Sequence, residues 1–170
     1  MKFIFKLYAI TVVTVMFCLK SFSQTTIILL RHAEKDTTVQ GSTTMNANPP
    51  LSEKGKHRAI RLMSELKKYH PNLIYSTDYI RTKSTIQPIA QKFNKEILIY
   101  NVKEQSKLAN ELLAIENKTI IVVGHSNTIP LLANMIMQQN LFTLMDDNDY
   151  KHYWIITIKN GKATACIKEY

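Results

Sequence analysis

Four side chains able to bind and transfer an anionic group lie at three points of the sequence: Arg31, His32, Arg81 and His125. A guanidinium offers forked donors to an anion, and a neutral imidazole offers a basic nitrogen that can act as a nucleophile or a base. Arg31 and His32 are adjacent, and each histidine lies two residues beyond an apolar run. This spacing indicates one anion site, provided that folding brings the three points together.

The apolar runs before the two histidines predict the elements that hold them. Residues 27–30 are Ile-Ile-Leu-Leu and residues 120–123 are Ile-Ile-Val-Val. Such runs are too short for an isolated helix and are typical of strands buried on both faces. Open α/β sheets bind ligands beyond the carboxyl ends of their strands. Arg81 lies about one turn into a helix that follows a third predicted strand, so it can point toward the same edge.

The remaining pattern alternates between helices and strands. Helical spacing of apolar residues predicts helices from Ser52 to just before Pro71, and at 79–93 (with Pro88 as a kink or a break), 106–115 and 128–139. Further strands are predicted at 72–75, 96–100, 153–158 and 162–167, the last two flanking the hairpin signal Asn160-Gly161. The sequence therefore predicts an α/β three-layer sandwich, with a largely parallel sheet covered by helices on both faces and ending in a C-terminal β-hairpin.

Residues 1–23 predict a cleaved secretory signal. Lys2 and Lys6 precede an apolar segment, Leu7 to Leu19, and small residues follow at 21–23. The segment is shorter than the roughly 20 residues of a membrane-spanning helix, which favours cleavage over a retained anchor. Cleavage would lower the formal net charge from +9 to +6 and leave one cysteine, Cys166. We expect a single mature domain at 24–170, secreted or periplasmic, without an intrachain disulfide and without membrane insertion.

The composition also narrows the class of partner. The lysines are scattered, with no dense basic run or interleaved aromatic residues, which argues against a nucleic-acid partner. A small anionic substrate is compatible with the basic balance, and the oligomeric state stays open. Residues 35–50 are rich in Thr, Asn, Gly, Ser and Pro and predict a loop directly after His32. Loops of this length often act as lids or binding loops.

Four motifs stand in order between residues 26 and 130. They are Arg31-His32-Ala33, then Leu51-Ser52-Glu53-Lys54-Gly55 followed by Ala59, then Ser76-Thr77 with Arg81, Thr82 and Thr85, and finally Gly124-His125-Ser126. Together they resemble the histidine phosphatase superfamily, which includes the phosphoglycerate mutases. The resemblance implies that His32 is the phosphorylated nucleophile and that Arg31, Arg81 and His125 bind the phosphoryl group. Ala33 stands where the family most often has Gly.

This chemistry requires neither a metal nor a cofactor. An imidazole nitrogen can attack phosphorus and form a phosphohistidine that water later hydrolyses, and the cationic side chains stabilise the transferring group. We expect an exported phosphatase that acts on small phosphate monoesters or other phosphoryl compounds. The leaving-group acid is less clear. Glu104 matches the mutase arrangement but also suits a helix start, and Glu34 is a second candidate. Without an acid, good leaving groups such as phosphohistidine are favoured.

Three other functions remain open. Gly124-His125-Ser126-Asn127-Thr128 resembles a nucleophile elbow, in which Ser126 would act with Asp146, Asp147 or Asp149 and with His152 as a serine esterase. Thr128 replaces the second glycine of that motif, and Ser126 also suits a helix N-cap or a substrate contact beside Glu34. A non-catalytic module that binds a phosphorylated ligand is a further possibility. A mutase ranks last, since it needs a phosphate donor and a tighter acid site.

Overall fold

The computed structural model describes residues 24–38 and 48–170. The predicted signal sequence and the central part of the predicted 35–50 loop lie outside the described residues. Six strands and four helices follow in the predicted order. The strands are β1 Gln24–Arg31, β2 Leu73–Thr77, β3 Ile97–Tyr100, β4 Thr119–Gly124, β5 His152–Lys159 and β6 Lys162–Glu169. The helices are α1 Glu53–Leu66, α2 Ile80–Phe93, α3 Gln105–Ala114 and α4 Ile129–Met137.

All six strands form one sheet in the order β3-β2-β4-β1-β5-β6. Strands β3, β2, β4 and β1 are parallel, whereas β5 is antiparallel to β1 and to β6. The two histidine-bearing strands are direct neighbours, with Arg31 in register with Gly124. The residues that follow β1 and β4 therefore emerge side by side at one edge of the sheet.

Alternate residues of β1 face two separate cores. Ile27 and Leu29 pack with α3 and α4 on one face, and Ile28 and Leu30 pack with α1 and α2 on the other. All four side chains are fully buried. Burial on both faces explains the uninterrupted apolar run, because a strand at the centre of a three-layer sandwich has no solvent face. The predicted fold class is confirmed.

Local sequence signals also act as predicted. Ser52 caps α1 by accepting a hydrogen bond from the Gly55 amide. Asn160 and Gly161 both have positive φ, 52° and 72°, which is the conformation that a two-residue type I′ hairpin turn requires. Helix α2 continues through Pro88 rather than breaking there. The buried residues Ile86 and Ile89 on either side of Pro88 hold the helix against the sheet.

Within the two described ranges, no helix is long and apolar enough to cross a membrane.

Candidate active site

One cavity of about 480 Å³ brings the four predicted site residues together. Arg31 ends β1 and His32 follows it, Arg81 is the second residue of α2, and His125 directly follows β4. The rings of His32 and His125 are 5.4 Å apart between centroids, in an edge-to-face arrangement. The remaining lining residues are Lys35, Tyr79, Val102, Ser126, Asn127, Thr128 and Asp147.

The backbone fixes the tautomer of His32. Its Nδ1 lies 2.7 Å from the carbonyl oxygen of Ala33, which can only accept, so Nδ1 carries the proton. Nε2 therefore holds the lone pair, and the Nε of Arg81 donates to it at 3.3 Å. Burial lowers the pKa of His32 well below its ordinary value, because the effect of burial outweighs the Ala33 hydrogen bond and is reinforced by nearby positive groups. His32 is thus neutral at neutral pH and has a basic Nε2.

Arg81 lies between the two histidines. Its Nη2 is 3.5 Å from Nδ1 of His125, while its Nε donates to His32, and its guanidinium lies over the ring of Tyr79 at 4.3 Å. The start of α2 is held by Asn48, whose side-chain oxygen accepts from the Ile80 amide at 2.7 Å. The end of the predicted 35–50 loop thus helps to position Arg81.

His125 is held through its other ring nitrogen. Nε2 lies 3.1 Å from the hydroxyl oxygen of Thr77, the last residue of β2. Burial, followed by the charges of Arg81 and Arg31, lowers the pKa of His125 to about 4. His125 is therefore also neutral at neutral pH while the cavity holds no anion.

Arg31 is buried and is anchored to the chain segment before β5. Its Nη1 donates to the carbonyl oxygens of Asp146 and Asp149, each at 3.0 Å, and the ring of Tyr150 lies 4.0 Å from its guanidinium carbon. Its Nε is buried without a hydrogen-bond partner among the described residues. A buried donor of this kind is costly unless a ligand accepts its hydrogen bond, so Arg31 is suited to bind an anion in the cavity.

Two motif residues fix the turn after His32. Thr85 in α2 accepts from the Ala33 amide at 2.9 Å and donates to the Arg81 carbonyl at 2.7 Å. Gly55 in α1 packs so closely that a Cβ there would overlap the carbonyl oxygen of Glu34. These contacts explain why the turn needs Thr85 and Gly55, although neither residue lines the cavity.

The structure corrects the prediction of Glu34 as an acid or a substrate contact. Its carboxylate receives two hydrogen bonds from Arg58, at 2.7 and 2.8 Å, and lies 3.4 Å from the Lys54 ammonium. Burial alone would raise the pKa of Glu34, but the hydrogen bonds and charge of Arg58, together with a backbone hydrogen bond and Lys54, lower the pKa overall. Glu34 therefore stays ionised in a structural ion pair, and it does not line the cavity.

Glu104 is likewise displaced from the predicted acid position. It is exposed at the start of α3, where it accepts from the Asn101 amide group at 2.8 Å and pairs with Lys107. The neighbouring Val102 lines the cavity, whereas Glu104 does not. A short 3₁₀ turn at Val102–Glu104 precedes α3 and separates the two positions. The location of Glu104 at the start of α3 agrees with the alternative prediction of a helix-start carboxylate, although its side chain makes no capping hydrogen bond.

The serine esterase triad is not assembled. Ser126 lines the cavity, but His152 is held elsewhere, with Nδ1 2.6 Å from Asp149 and Nε2 2.8 Å from Glu169. Ser126 is not the helix cap either, because Thr128 occupies the N-cap position of α4. Ser126 thus remains a cavity residue without a catalytic histidine of its own.

The sequence did not predict that Asp147 would lie in this cavity as a candidate acid. Asp147 is the one carboxylate among the cavity-lining residues that the structure describes, and its loop is held by the Arg31 hydrogen bonds to residues 146 and 149. One topological signal could have located it. A hairpin strand placed antiparallel beside β1 must begin near the carboxyl end of β1, so the residues before β5 must lie beside Arg31. In the described part of the chain, no three His, Cys, Asp or Glu side chains form a metal-binding group.

Comparison with known sequences found a family model and two relatives that match part of the chain. Residues 27–109 match the model of the histidine phosphatase superfamily, branch 1. The chain is 39% identical over 72 residues to phosphoserine phosphatase 1 of Hydrogenobacter thermophilus. It is 40% identical over 73 residues to the 2,3-bisphosphoglycerate-dependent phosphoglycerate mutase of Thermoplasma acidophilum. Each match covers 42% of this chain, and the chain spans only about a third of these relatives, 34% and 36%.

Solved structures share the fold over a larger part of the chain. A mycobacterial glucosyl-3-phosphoglycerate phosphatase superposes with a TM-score of 0.68 at 14% identity, covering 86% of this chain and 98% of that one. A phosphoserine phosphatase variant from Entamoeba histolytica, in complex with phosphoserine, gives a TM-score of 0.63 at 19% identity, covering 83% and 94%. The match to the family model confirms the predicted resemblance to the histidine phosphatase superfamily, and the solved structures share the fold of this chain.

Proposed function

We propose that this protein is a phosphatase that hydrolyses small phosphate monoesters through a phosphohistidine on Nε2 of His32. One observation carries the proposal: His32 is held neutral, with its Nε2 lone pair facing Arg81, in a cavity that Arg31 also lines, and the buried Nε of Arg31 has no hydrogen-bond partner among the described residues. A neutral nucleophile beside fixed cationic donors is the arrangement that phosphoryl transfer requires. The phosphatase names of the relatives agree with this proposal.

The first half-reaction forms the phosphoenzyme. A phosphoryl group takes the place of the Arg81 hydrogen bond at His32, so that Arg81 and Arg31 donate to its oxygens. Nε2 attacks phosphorus, the nitrogen–phosphorus bond forms, and the bond to the ester oxygen breaks. The proton stays on Nδ1 and remains hydrogen-bonded to the Ala33 carbonyl oxygen, which stabilises the positive charge that develops on the ring. The leaving alkoxide takes a proton from a nearby acid.

The second half-reaction regenerates the enzyme. Water attacks phosphorus from the side that the leaving group vacated, the nitrogen–phosphorus bond breaks, and inorganic phosphate leaves. The group that protonated the alkoxide now removes a proton from the water. We infer that Asp147 fills both roles, because Glu34 and Glu104 are engaged elsewhere and Asp147 lines the cavity.

The role of Asp147 is tested by the dependence of the rate on the leaving group. In Asp147→Asn, kcat/KM for an alkyl phosphate should fall by roughly 10²–10⁴-fold, whereas a nitrophenyl phosphate, whose leaving group needs no proton, should change little. Asp146→Asn is the matched control, because Asp146 accepts a hydrogen bond from the Asn148 amide and does not line this cavity. Equal losses on both substrates would assign Asp147 a binding role instead.

The substrate class is inferred from the charged residues that line the cavity. Besides the phosphate-binding residues and Asp147, the cavity is lined by one further basic residue, Lys35, among the residues that the structure describes. We infer a small phosphate ester that carries its own charged groups. The two relatives are named for phosphoserine and for phosphoglycerate, which supports such a substrate. A panel of phosphoserine, 3-phosphoglycerate and uncharged alkyl phosphates tests this inference, and equal kcat/KM values across the panel would contradict it.

The activity itself is tested by turnover of an aryl phosphate with a chelator present. We expect steady hydrolysis by the wild type and none by His32→Ala. Vanadate or phosphate binding without turnover of any ester would favour the binding module. Interconversion of 2- and 3-phosphoglycerate would favour the mutase. Activity that survives in His32→Ala would refute the proposed nucleophile.

We also propose that residues 1–23 direct export and are removed, which leaves a secreted or periplasmic domain at 24–170. The pattern of Lys2 and Lys6, an apolar segment and small residues at 21–23 supports this. Expression of the full chain in a bacterial host tests it by cell fractionation and intact mass. A protein that retains its N-terminus and stays in the cytoplasm would contradict the proposal.

A further inference from the structure

A chain of three hydrogen bonds leads from His125 into the protein interior. Nε2 of His125 lies 3.1 Å from the Thr77 hydroxyl, which donates to the Thr82 hydroxyl at 3.0 Å. Thr82 in turn donates to the carbonyl oxygens of Thr77 and Tyr79, each at 2.9 Å. Both threonines are almost completely buried, so no bulk water competes for their hydroxyl protons.

The end of this chain fixes the direction of every bond in it. Carbonyl oxygens only accept, so the Thr82 proton points at them and the Thr82 oxygen is left to accept from Thr77. The Thr77 hydroxyl proton is therefore donated to Thr82, and the Thr77 oxygen must accept a hydrogen bond from Nε2–H of His125. The contact on the other side of the ring agrees. Nη2 of Arg81, 3.5 Å from Nδ1, can only donate, so Nδ1 carries no proton.

We propose that Thr77 and Thr82 are positioning residues that hold His125 in the Nε2-protonated tautomer, with the lone pair of Nδ1 facing the phosphoryl site. This inference rests on the proposed phosphatase function only for its catalytic meaning, because the tautomer is a property of the free protein.

The tautomer determines how His125 meets a substrate. A neutral ring with a bare Nδ1 cannot donate to a phosphoryl oxygen, so it binds a phosphate that brings its own proton. On binding, the oxygen–hydrogen bond of a phosphate monoanion breaks, a bond from hydrogen to Nδ1 forms, and the resulting imidazolium donates back to the phosphoryl oxygen. The Thr77 hydroxyl oxygen accepts the hydrogen bond of the other imidazolium N–H, at Nε2. The hydrogen-bonded pair Thr77 and Thr82, called the relay below, therefore makes Nδ1 of His125 accept a proton from the phosphate before it donates a hydrogen bond to it.

Histidine tautomers are observed directly by long-range nitrogen–proton correlation on ¹⁵N-histidine-labelled protein. The wild type at neutral pH should show His125 protonated at Nε2 and His32 protonated at Nδ1. In Thr82→Val the Thr77 hydroxyl loses its acceptor and can donate to Nε2, so His125 should move toward the Nδ1-protonated form. Thr82→Ser keeps the hydroxyl and should restore the wild-type pattern. An unchanged His125 tautomer in Thr82→Val would overturn the proposal.

Thr85→Val is the matched control, because it removes a buried hydroxyl from the same helix that contacts Ala33 and Arg81 but not His125. Its His125 tautomer should match the wild type. In kinetic assays, Thr82→Val should lower kcat about tenfold, which corresponds to an activation barrier about 1.4 kcal/mol higher. If the wild type shows the expected tautomer but turns over no ester, the phosphatase proposal fails while the relay stands. If Thr85→Val shifts the tautomer as much as Thr82→Val, the relay fails.

Discussion

The two histidines of the cavity follow neighbouring buried strands and are held in different ways. His32 is fixed by the backbone carbonyl of the next residue, Ala33. His125 is fixed by a side-chain hydroxyl of Thr77, which depends on a second hydroxyl, Thr82. The proposed nucleophile thus has its tautomer set by the main chain, whereas the tautomer of its partner is set by side chains.

This difference indicates which part of the site tolerates amino-acid substitution. A backbone hydrogen bond persists as long as the turn keeps its shape, so substitutions around His32 should alter stability before they alter its tautomer. Substitutions around His125 can change its protonation pattern in an intact fold. Substitutions of neighbouring residues should therefore leave the tautomer of His32 unchanged but can change the tautomer of His125.

Among the substitutions that test this contrast, the largest effect should come from Arg81, whose side chain forms a hydrogen bond to the ring of each histidine. Arg81→Leu should lower kcat/KM by about 10²–10³-fold, as expected for loss of a donor to the transferring group. Arg81→Lys should recover only part of this, because one ammonium cannot replace two donors of a planar fork. The partly exposed neighbour Lys83, paired with Asp78, provides the control Lys83→Ala. Full activity in Arg81→Leu would contradict its place at the centre of the site.

The next effect concerns stability against pH. Both histidines have lowered pKa values in the folded state, so below about pH 6.5 the unfolded chain binds more protons than the folded one. The free energy of unfolding should fall as pH falls from 6.5 toward 4, with up to about 3 kcal/mol from His125. Urea titrations should show a smaller fall in His125→Gln than in His57→Gln, which removes an exposed histidine. Equal slopes in both variants would show that His125 is not buried neutral.

The smallest effect should come from Thr85, which holds the turn after His32. Thr85→Val leaves the buried Ala33 amide without its acceptor and should destabilise the protein by about 1–3 kcal/mol. The His32 tautomer should nevertheless stay as in the wild type, because the Ala33 carbonyl still accepts from Nδ1. Chemical denaturation gives the first result and nitrogen–proton correlation the second. A change in the His32 tautomer would remove the contrast between the two histidines.

The sequence predicted the elements and their order because its patterns report burial directly. The runs at 27–30 and 120–123 have no polar residue because both faces of β1 and β4 are covered. Ser52 and Asn160-Gly161 carry local backbone rules that do not depend on the rest of the fold. Arg31, His32, Arg81 and His125 came together because each lies at the carboxyl end of a parallel strand or in the following helix.

The carboxylates could not be placed in the same way. Glu34 is one residue from the His32-Ala33 turn, yet a buried arginine on α1, Arg58, binds it. Asp147 is remote in sequence and reaches the cavity because Arg31 holds its loop by backbone carbonyls, which no side-chain pattern reports. These positions depend on long-range contacts rather than on local periodicity.

The most direct test of the central claim is capture of the phosphoenzyme. Protein mixed with a ³²P-labelled phosphate ester and quenched in alkali, where phosphohistidine survives and serine phosphate is lost, should carry label that acid then releases. Peptide mapping should place the label on His32, and His32→Ala should carry none. We expect Thr82→Val still to form labelled enzyme, because the tautomer of His32 does not depend on Thr82. Label on any other residue, or undiminished label in His32→Ala, would contradict a phosphohistidine on His32.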